Sequence, residues 1–174
     1  QTNHDHELLA LYRLSEDVGS LTKARQFIDM AQALFVGGFA IEAERIMDKG
    51  LAAGLFSGEE LTRAQRTRDT AKRKADEDRS ALATADKALA AAKTGTAAYK
   101  IGQLYFSAGK YAEAAAAMRK ALTLPGLEDV DDANMEMGIA LARMGKKAEA
   151  VKAFDAVKDP EFAEVARLWK LRIR

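Results

Sequence analysis

Two histidines and two carboxylates near the start of the chain are the first residues whose types could support chemistry. His4, Asp5, His6 and Glu7 follow one another directly, and imidazole and carboxylate groups are common metal ligands. Residues two apart on a helix do not share a face, so this run does not assemble a metal site. We therefore predict that the chain binds no metal ion and no cofactor.

Sequence patterns for catalysis are missing from the rest of the chain. There is no glycine-rich phosphate loop, no nucleophile elbow and no zinc-protease motif. The chain has no cysteine, which excludes thiol chemistry and disulfides. Carboxylates are plentiful, but they are distributed as surface charge. We predict that the chain has no catalytic residues and is not an enzyme.

The elements that organise the chain lie between residues 97 and 157, where one unit occurs twice. A shift of 36 residues superposes the two copies. The first copy has Gly102, Gly109, Lys110, Ala112, Glu113, Ala114 and Ala117, and the second has Gly138, Gly145, Lys146, Ala148, Glu149, Ala150 and Ala153. A repeat in the mid-thirties with two helices per unit predicts a stacked helical array.

Each copy reads as two helices joined at a glycine. Apolar residues at helical spacing precede Gly109, and a second apolar stripe follows it. Glycine adopts the left-handed conformation at little cost and so ends a helix well. Gly102 and Gly138 are small where two antiparallel helices approach, and we expect them to face Ala114 and Ala150.

This pattern of small and large residues resembles the tetratricopeptide repeat family. The residues that carry the resemblance are Gly102, Tyr105, Gly109, Ala114, Met118 and Ala121, then Gly138, Leu141, Gly145, Ala150 and Phe154, with Val157 in place of the last alanine. The sequence departs from the family pattern at Ala98 and Asn134, which replace an aromatic residue, and at Pro125, which comes one residue early. The resemblance implies an all-α fold, a right-handed α-solenoid of stacked antiparallel helix pairs.

The repeat arithmetic extends to the whole chain. A shift of 71 residues matches Gly38, Ala43 and Met47 to the first copy, so one more unit should lie between them. The predicted divisions are an N-terminal helix that caps the array or is half a repeat at 1–20, repeats at 21–57, 58–94, 95–128 and 129–158, and a capping helix at 159–174. The predicted helices are 5–17, 21–36, 39–53, 59–75, 78–93, 96–108, 111–123, 130–144, 147–158 and 160–172.

The unit at 58–94 is dense in charge and poor in large apolar residues. Its basic and acidic residues nearly balance and pair at a spacing of four, as in Asp69 with Arg73, which predicts a solvated helix face. Its apolar residues form a narrow, mainly alanine seam that also allows a coiled-coil contact between copies. The seam contains neither glycine nor proline, so one long helix is possible; repeat arithmetic favours two, with a break near residues 76–79.

The last helix should close the array. Asp159 and Pro160 start it, and Trp169 lies on its apolar side. We expect Trp169 to cover the last unit; the alternative is an exposed docking anchor.

Function follows from the resemblance, which places the first helix of each pair on a concave, ligand-facing side. The residues implied as the partner-binding groove are Tyr99, Gln103, Phe106, Met135, Ile139 and Arg143. We predict a scaffold that binds a protein or peptide partner, such as an extended peptide or a partner helix; the alternative is a self-assembling structural element. If Tyr99, Phe106 and Met135 are fully buried, the interface must lie at the charged middle unit or at the ends.

Composition excludes other partners and leaves some questions open. A net charge of +1 argues against nucleic acid, and no apolar run approaches the roughly 20 residues of a membrane span. The alanine-rich texture suggests a bacterial protein. The first residue, Gln1, and the missing cysteine favour a periplasmic or exported location over the cytoplasm. The sequence leaves the oligomeric state undetermined.

Overall fold

A computed structural model describes residues 3–174, with side chains described from residue 6 onward. This part of the chain contains ten α-helices and no strand, as the sequence predicts. The helices are α1 (Asn3–Asp17), α2 (Ala24–Val36), α3 (Ala40–Ala52), α4 (Gly58–Leu82), α5 (Ala85–Ala91), α6 (Gly95–Ser107), α7 (Tyr111–Ala121), α8 (Val130–Arg143), α9 (Lys147–Asp155) and α10 (Pro160–Arg172).

Three helix pairs are joined by the same glycine turn. The pairs are α2 with α3, α6 with α7 and α8 with α9, and each turn contains a left-handed glycine, Gly38, Gly109 or Gly145. In the last two turns, the amide that follows the glycine donates to a carbonyl five residues back, at 2.9 Å in both cases. This bond satisfies a free carbonyl at the helix end. Neighbouring pairs pack on one another, as in a helical-repeat solenoid, and the right-handed sense stays a prediction.

The close approach within the pairs is confirmed, but the facing residues differ from those expected. A Cβ atom at Gly102 would lie 3.0 Å from Met118 and 3.4 Å from Ala117, and one at Gly138 would lie 2.5 Å from the ring of Phe154. Met118 and Phe154 each lie one helical turn beyond the alanine that we expected. The glycine thus provides the space that a large side chain of the partner helix fills.

The charged middle unit is one long helix and one short one. The predicted break near residues 76–79 is wrong, because α4 continues to Leu82. Ion pairs hold the helix across this stretch: Lys72 with Asp76 at 2.9 Å and Lys74 with Asp78 at 3.2 Å. Residues 76–79 contain no glycine or proline that would end a helix. The helix ends later, and Thr84 lies between α4 and α5.

The two ends of the chain meet. Asp159 caps α10 by accepting hydrogen bonds from two amides at its start. Trp169 is fully buried, stacks on Phe154, and donates from Nε1 to the carbonyl of Ala10 in α1 at 3.1 Å. Trp169 is therefore a core residue of the cap rather than an exposed anchor. Through this contact α1 joins the last helix as well as α2 and α8.

Candidate protein-interaction site

The first helices of the three regular pairs, α2, α6 and α8, form a surface that we call the inner face. The resemblance assigns ligand binding to this face. In the structure α1 lies on it: α1 packs against α2 and α8, and Arg13 of α1 contacts Phe106 of α6. The chain thus carries its own helix on the surface where a partner was expected.

Arg13 attaches the middle of α1 to the inner face. Its guanidinium lies 4.2 Å from the ring centroid of Phe39 and 4.4 Å from that of Phe106. Its Nη2 atom donates to Glu42 Oε2 at 2.8 Å, and its Nη1 atom lies 3.7 Å from Glu136 Oε1. Arg13 and both carboxylates are buried. A buried cation held by two rings and two carboxylates satisfies both its faces and its edges.

A second cluster holds the C-terminal end of α1. Arg143 of α8 lies 3.0 Å from Asp17 and 3.6 Å from Glu42, and it donates to the Tyr111 hydroxyl at 2.8 Å. Burial disfavours the charged form of Glu42, yet the positive charges of Arg13 and Arg143 outweigh burial and lower the pKa of this carboxyl. The carboxylate charge is therefore maintained inside the protein.

Glu16 of α1 belongs to the same cluster. Arg45 contacts both of its oxygens, at 2.5 and 2.8 Å, and Lys49 lies 3.2 Å away. Burial alone would raise the pKa of Glu16, but the hydrogen bond and charge of Arg45, assisted by Arg143 and Lys49, lower it to about 2. The Glu16 carboxylate therefore stays ionised to lower pH than an ordinary glutamate and holds this end of α1.

The N-terminal half of α1 is held differently. His6 Nδ1 lies 3.0 Å from Asp132 Oδ1, and its hydrogen bond to Asp132 raises the pKa of the imidazole despite partial burial. Glu136, one turn along α8, is completely buried. Burial raises its pKa to about 7, Asp132 adds to the rise, and Arg13, His6 and Gln103 oppose it. Among the described residues, Glu136 Oε2 has no hydrogen bond of normal geometry.

The residues predicted as an open groove lie together, but within the core. Four of them are less than 4% exposed: Tyr99, Phe106, Met135 and Ile139. Gln103 and Arg143 are partly buried; Gln103 donates to the Tyr99 hydroxyl at 3.2 Å and Arg143 lies beside Phe106. The expected exposure is thus corrected, because the neighbouring helices and Arg13 of α1 cover this face. By the criterion stated from the sequence, Tyr99, Phe106 and Met135 are core residues here, and an accessible interface must be sought towards the middle unit or the ends. Partner contact through the six residues is untested and stays a prediction.

An open part of the inner face remains beside α1. A hollow of about 220 Å³ between α1 and α2 adjoins one of about 450 Å³ between α2 and α4, and Gln32 and Val36 line both. Val36 is 69% exposed, and Leu8 and Phe35 are also exposed. Gln32, Phe35 and Val36 all lie on α2, the first helix of the first regular pair. The accessible surface is therefore at α2 rather than at α6 and α8.

Sequence reasoning missed the residues that join α1 to the inner face. Arg13 lies among leucines on α1, and Glu136 lies between two methionines on α8. A charge inside an apolar stripe was the available signal, but its partners lie on other helices. Of the histidine and carboxylate run, the side chains of His4 and Asp5 lie outside the described residues. No group of three or more possible metal ligands occurs among the side chains that the structure does describe.

Comparison with known proteins supports the repeat assignment. The family model for the tetratricopeptide repeat matches residues 95–125, which contain α6 and α7. No curated protein and no solved structure matches the chain significantly. Within the described residues, no helix is both long and apolar enough to cross a membrane. Repeats of this family generally mediate protein–protein interaction and are typically non-catalytic. The pair α6 and α7 therefore matches the tetratricopeptide repeat, within a chain of repeated helices.

Proposed function

We propose that this protein is a non-catalytic interaction scaffold whose inner face binds an α-helical segment of a partner protein. The observation that supports this most directly is α1 itself. It is a helix that lies on α2, α6 and α8 through Leu9, Ala10 and the buried Arg13. A surface that accommodates α1 has the width and chemistry to hold an amphipathic helix.

The open part of the inner face is the place where a partner first binds. Leu8, Phe35 and Val36 expose apolar surface there, and Gln32 and Arg66 border it. Exposed apolar residues next to an arginine and an amide resemble the composition of protein interfaces. This surface is continuous with the one that α1 occupies, so a bound helix at α2 would lie beside α1.

Deeper binding requires α1 to move. Tyr99, Phe106 and Met135 are buried in the present arrangement, so a partner reaches this part of the predicted groove only when α1 leaves. We therefore divide the inner face into an entry region at α2 and an inner region beneath α1.

The entry region can be tested by photo-crosslinking. A photoreactive amino acid is placed at Gln32 of the full chain, and at exposed Ala116 of α7 as the matched control. We expect a discrete crosslinked protein from the native host at Gln32 and not at Ala116. Val36→Glu should abolish the crosslink, because it buries a charge in the apolar contact. Equal labelling at both positions, or labelling that Val36→Glu does not change, would contradict the proposal.

The alternative function is self-assembly, and the two sequence features that would support it are both buried. Ala64, Ala71 and Ala75 of the alanine seam are buried within this chain, and so is Trp169. Neither is available as the contact between copies that the sequence suggested. Light scattering of the full chain tests the alternative: a stable dimer or larger species at micromolar concentration would restore it.

A further inference from the structure

The pocket that holds Arg13 has the composition of a guanidinium-binding site. Two aromatic rings lie at 4.2 and 4.4 Å from the guanidinium carbon, and Glu42 and Glu136 lie at its edge. A flat cation stacks on rings and meets carboxylates with several donors, which the ammonium of lysine cannot do. We infer that this pocket recognises an arginine on a partner helix, and that Arg13 fills it in cis until such a helix replaces α1. This inference rests on the proposed function and specifies its partner.

The pocket belongs to the repeats and not to α1. Phe39 and Glu42 lie at the start of α3, Phe106 lies on α6 and Glu136 lies on α8. Contacts that do not involve α1 fix these residues. The Glu42 amide donates to Ser107 Oγ at 3.2 Å, and the rings of Phe39 and Phe106 meet edge to face. Arg143 also lies 3.6 Å from Glu42. Phe39, Glu42 and Phe106 are therefore held in place by contacts that remain when α1 leaves, and Arg143 stays beside Glu42.

The attachment of α1 is mainly polar. Among the described side chains of α1, the buried apolar residues are Leu9 and Ala10, whereas Leu8 and Leu11 are exposed. By comparison, α10 buries four apolar side chains. Residues 18–23, which include a left-handed Gly19, connect α1 to α2 outside any helix. Because little apolar area holds α1, a competing helix has to replace mainly polar contacts, of which those of Arg13 are the most buried.

The contacts of α1 also define the partner sequence. Arg13 follows Leu9 and Ala10 by four and three residues, so all three share one helix face. Ala10 is small where Trp169 donates to its carbonyl, a backbone contact that any helix can make. Glu136 Oε2 has no normal hydrogen bond to a described residue. We therefore expect the partner helix to carry an arginine, with a small residue three positions before it and an apolar residue four positions before it.

Competition between helices tests the inference. Two fluorescein-labelled peptides of residues 3–17 are used, one with arginine and one with lysine at position 13. They are titrated into the full-length Arg13→Ala chain, in which the pocket is empty. We expect the arginine peptide to bind at least about tenfold more tightly than the lysine peptide, a difference of about 1.4 kcal/mol. The matched control chain is Arg73→Ala, in which α1 stays in place and competes, so it should bind the arginine peptide more weakly.

Trp169, the single tryptophan, gives a second measurement. Its emission should move to longer wavelength in Arg13→Ala as α1 leaves and return when the arginine peptide binds. If Arg13→Ala loses its helical circular dichroism, the arginine-to-lysine ratio is measured on the unsubstituted chain instead. Equal affinities of the arginine and lysine peptides would overturn the inference. It would also be overturned if the arginine peptide did not bind to whichever of the two chains, Arg13→Ala or unsubstituted, is folded and used in the titration. If light scattering shows a dimer, the inference that Arg13 fills the pocket of its own chain is overturned. A crosslink that persists at Gln32 in these cases leaves the proposed function intact.

Discussion

Ion pairs on α1 and on α4 have similar distances but different surroundings. Arg13 lies 2.8 Å from Glu42, with side chains that are 2% and 3% exposed. Lys72 of α4 lies 2.9 Å from Asp76, with side chains that are 43% and 53% exposed. Water screens the second pair and already solvates both ions, so its net contribution is small. The first pair has lost its water, so removing one partner leaves an uncompensated charge inside the protein.

The two helices also differ in what their charges connect. On α4 four pairs lie three or four residues apart on the same helix, as for Lys74 with Asp78, and three more reach Asp48 and Glu44 of α3. On α1 the partners come from other elements: Glu42 of α3, Asp132 and Glu136 of α8, and Arg45 of α3. Charges on α4 therefore support that helix and its contact with α3 at the surface, whereas the buried charges on α1 determine where α1 lies on the inner face. Measured effects of substitution should separate the two kinds of charge.

The largest effect should come from Arg13→Ala. This change removes the cation that pairs with Glu42 and Glu136 and the main contact of α1 with the inner face, and we expect a loss of about 3–5 kcal/mol in the free energy of unfolding. Urea denaturation followed by circular dichroism measures it. Arg73→Ala on the exposed face of α4 is the matched control and should leave the midpoint unchanged. If the two variants have similar urea midpoints, the buried Arg13 contributes no more to stability than an exposed arginine does.

A smaller effect should appear as the pH rises. The pKa of Glu136 increases from 4.5 in the unfolded chain to about 7 in the folded protein, so the folded state favours the protonated form. Its contribution is present below pH 4.5 and is lost as the pH rises through 7, a change of about 3 kcal/mol. The raised pKa of His6 acts in the same direction. Denaturation midpoints between pH 5 and 8 measure the decline.

Glu136→Gln is the control for this decline. The amide is neutral at every pH, so the variant should lose most of the pH dependence while retaining the shape of the side chain. A variant whose midpoint falls as steeply as that of the parent chain would assign the decline to another group.

The opposite end of α1 should respond to acid. The pKa of Glu16 falls from 4.5 to about 2 on folding, so its contribution is present above pH 4.5 and is lost as the pH falls towards 2. The lowered pKa of Glu42 adds to this loss. In the parent chain, Lys49→Ala should raise the pH at which acid unfolds the protein. In the Glu16→Gln chain, the same Lys49→Ala change should leave the pH of unfolding nearly unchanged. Acid titration of the three variants, followed by Trp169 fluorescence, measures this.

Local signals made most of the fold predictable from sequence. The glycine turns at Gly109 and Gly145, and the apolar spacing around them, lie within single repeats, and the helices there agree closely with those expected. The break predicted within α4 was wrong because it came from counting repeat lengths. No residue at 76–79 ends a helix, and the ion pairs on either side favour its continuation.

The candidate site was less predictable, because it depends on contacts between distant parts of the chain. Arg13 and Glu42 are 29 residues apart, and Trp169 and Ala10 are 159 apart. No spacing within one helix reveals that α1 would cover Phe106. The resemblance placed six residues on one face, and the structure brings them together, but the resemblance did not include the helix that lies on that face.

The smallest effect should come from charges on α4. Lys74 contacts Glu77 at 3.0 Å and Asp78 at 3.2 Å, and it is half exposed. Both pairs lie within one helix, and Lys74 and Glu77 are open to water although Asp78 is only 15% exposed, so salt should screen most of their attraction. We expect Lys74→Ala to leave the urea midpoint within the scatter of replicates at 0.5 M salt, and to lower it only slightly without salt. Under the same conditions Arg13→Ala should keep its full effect in salt, because the Debye screening that acts at the surface does not reach a buried pair. Salt-dependent loss in Arg13→Ala, or a large loss in Lys74→Ala, would mean that burial does not separate the two helices.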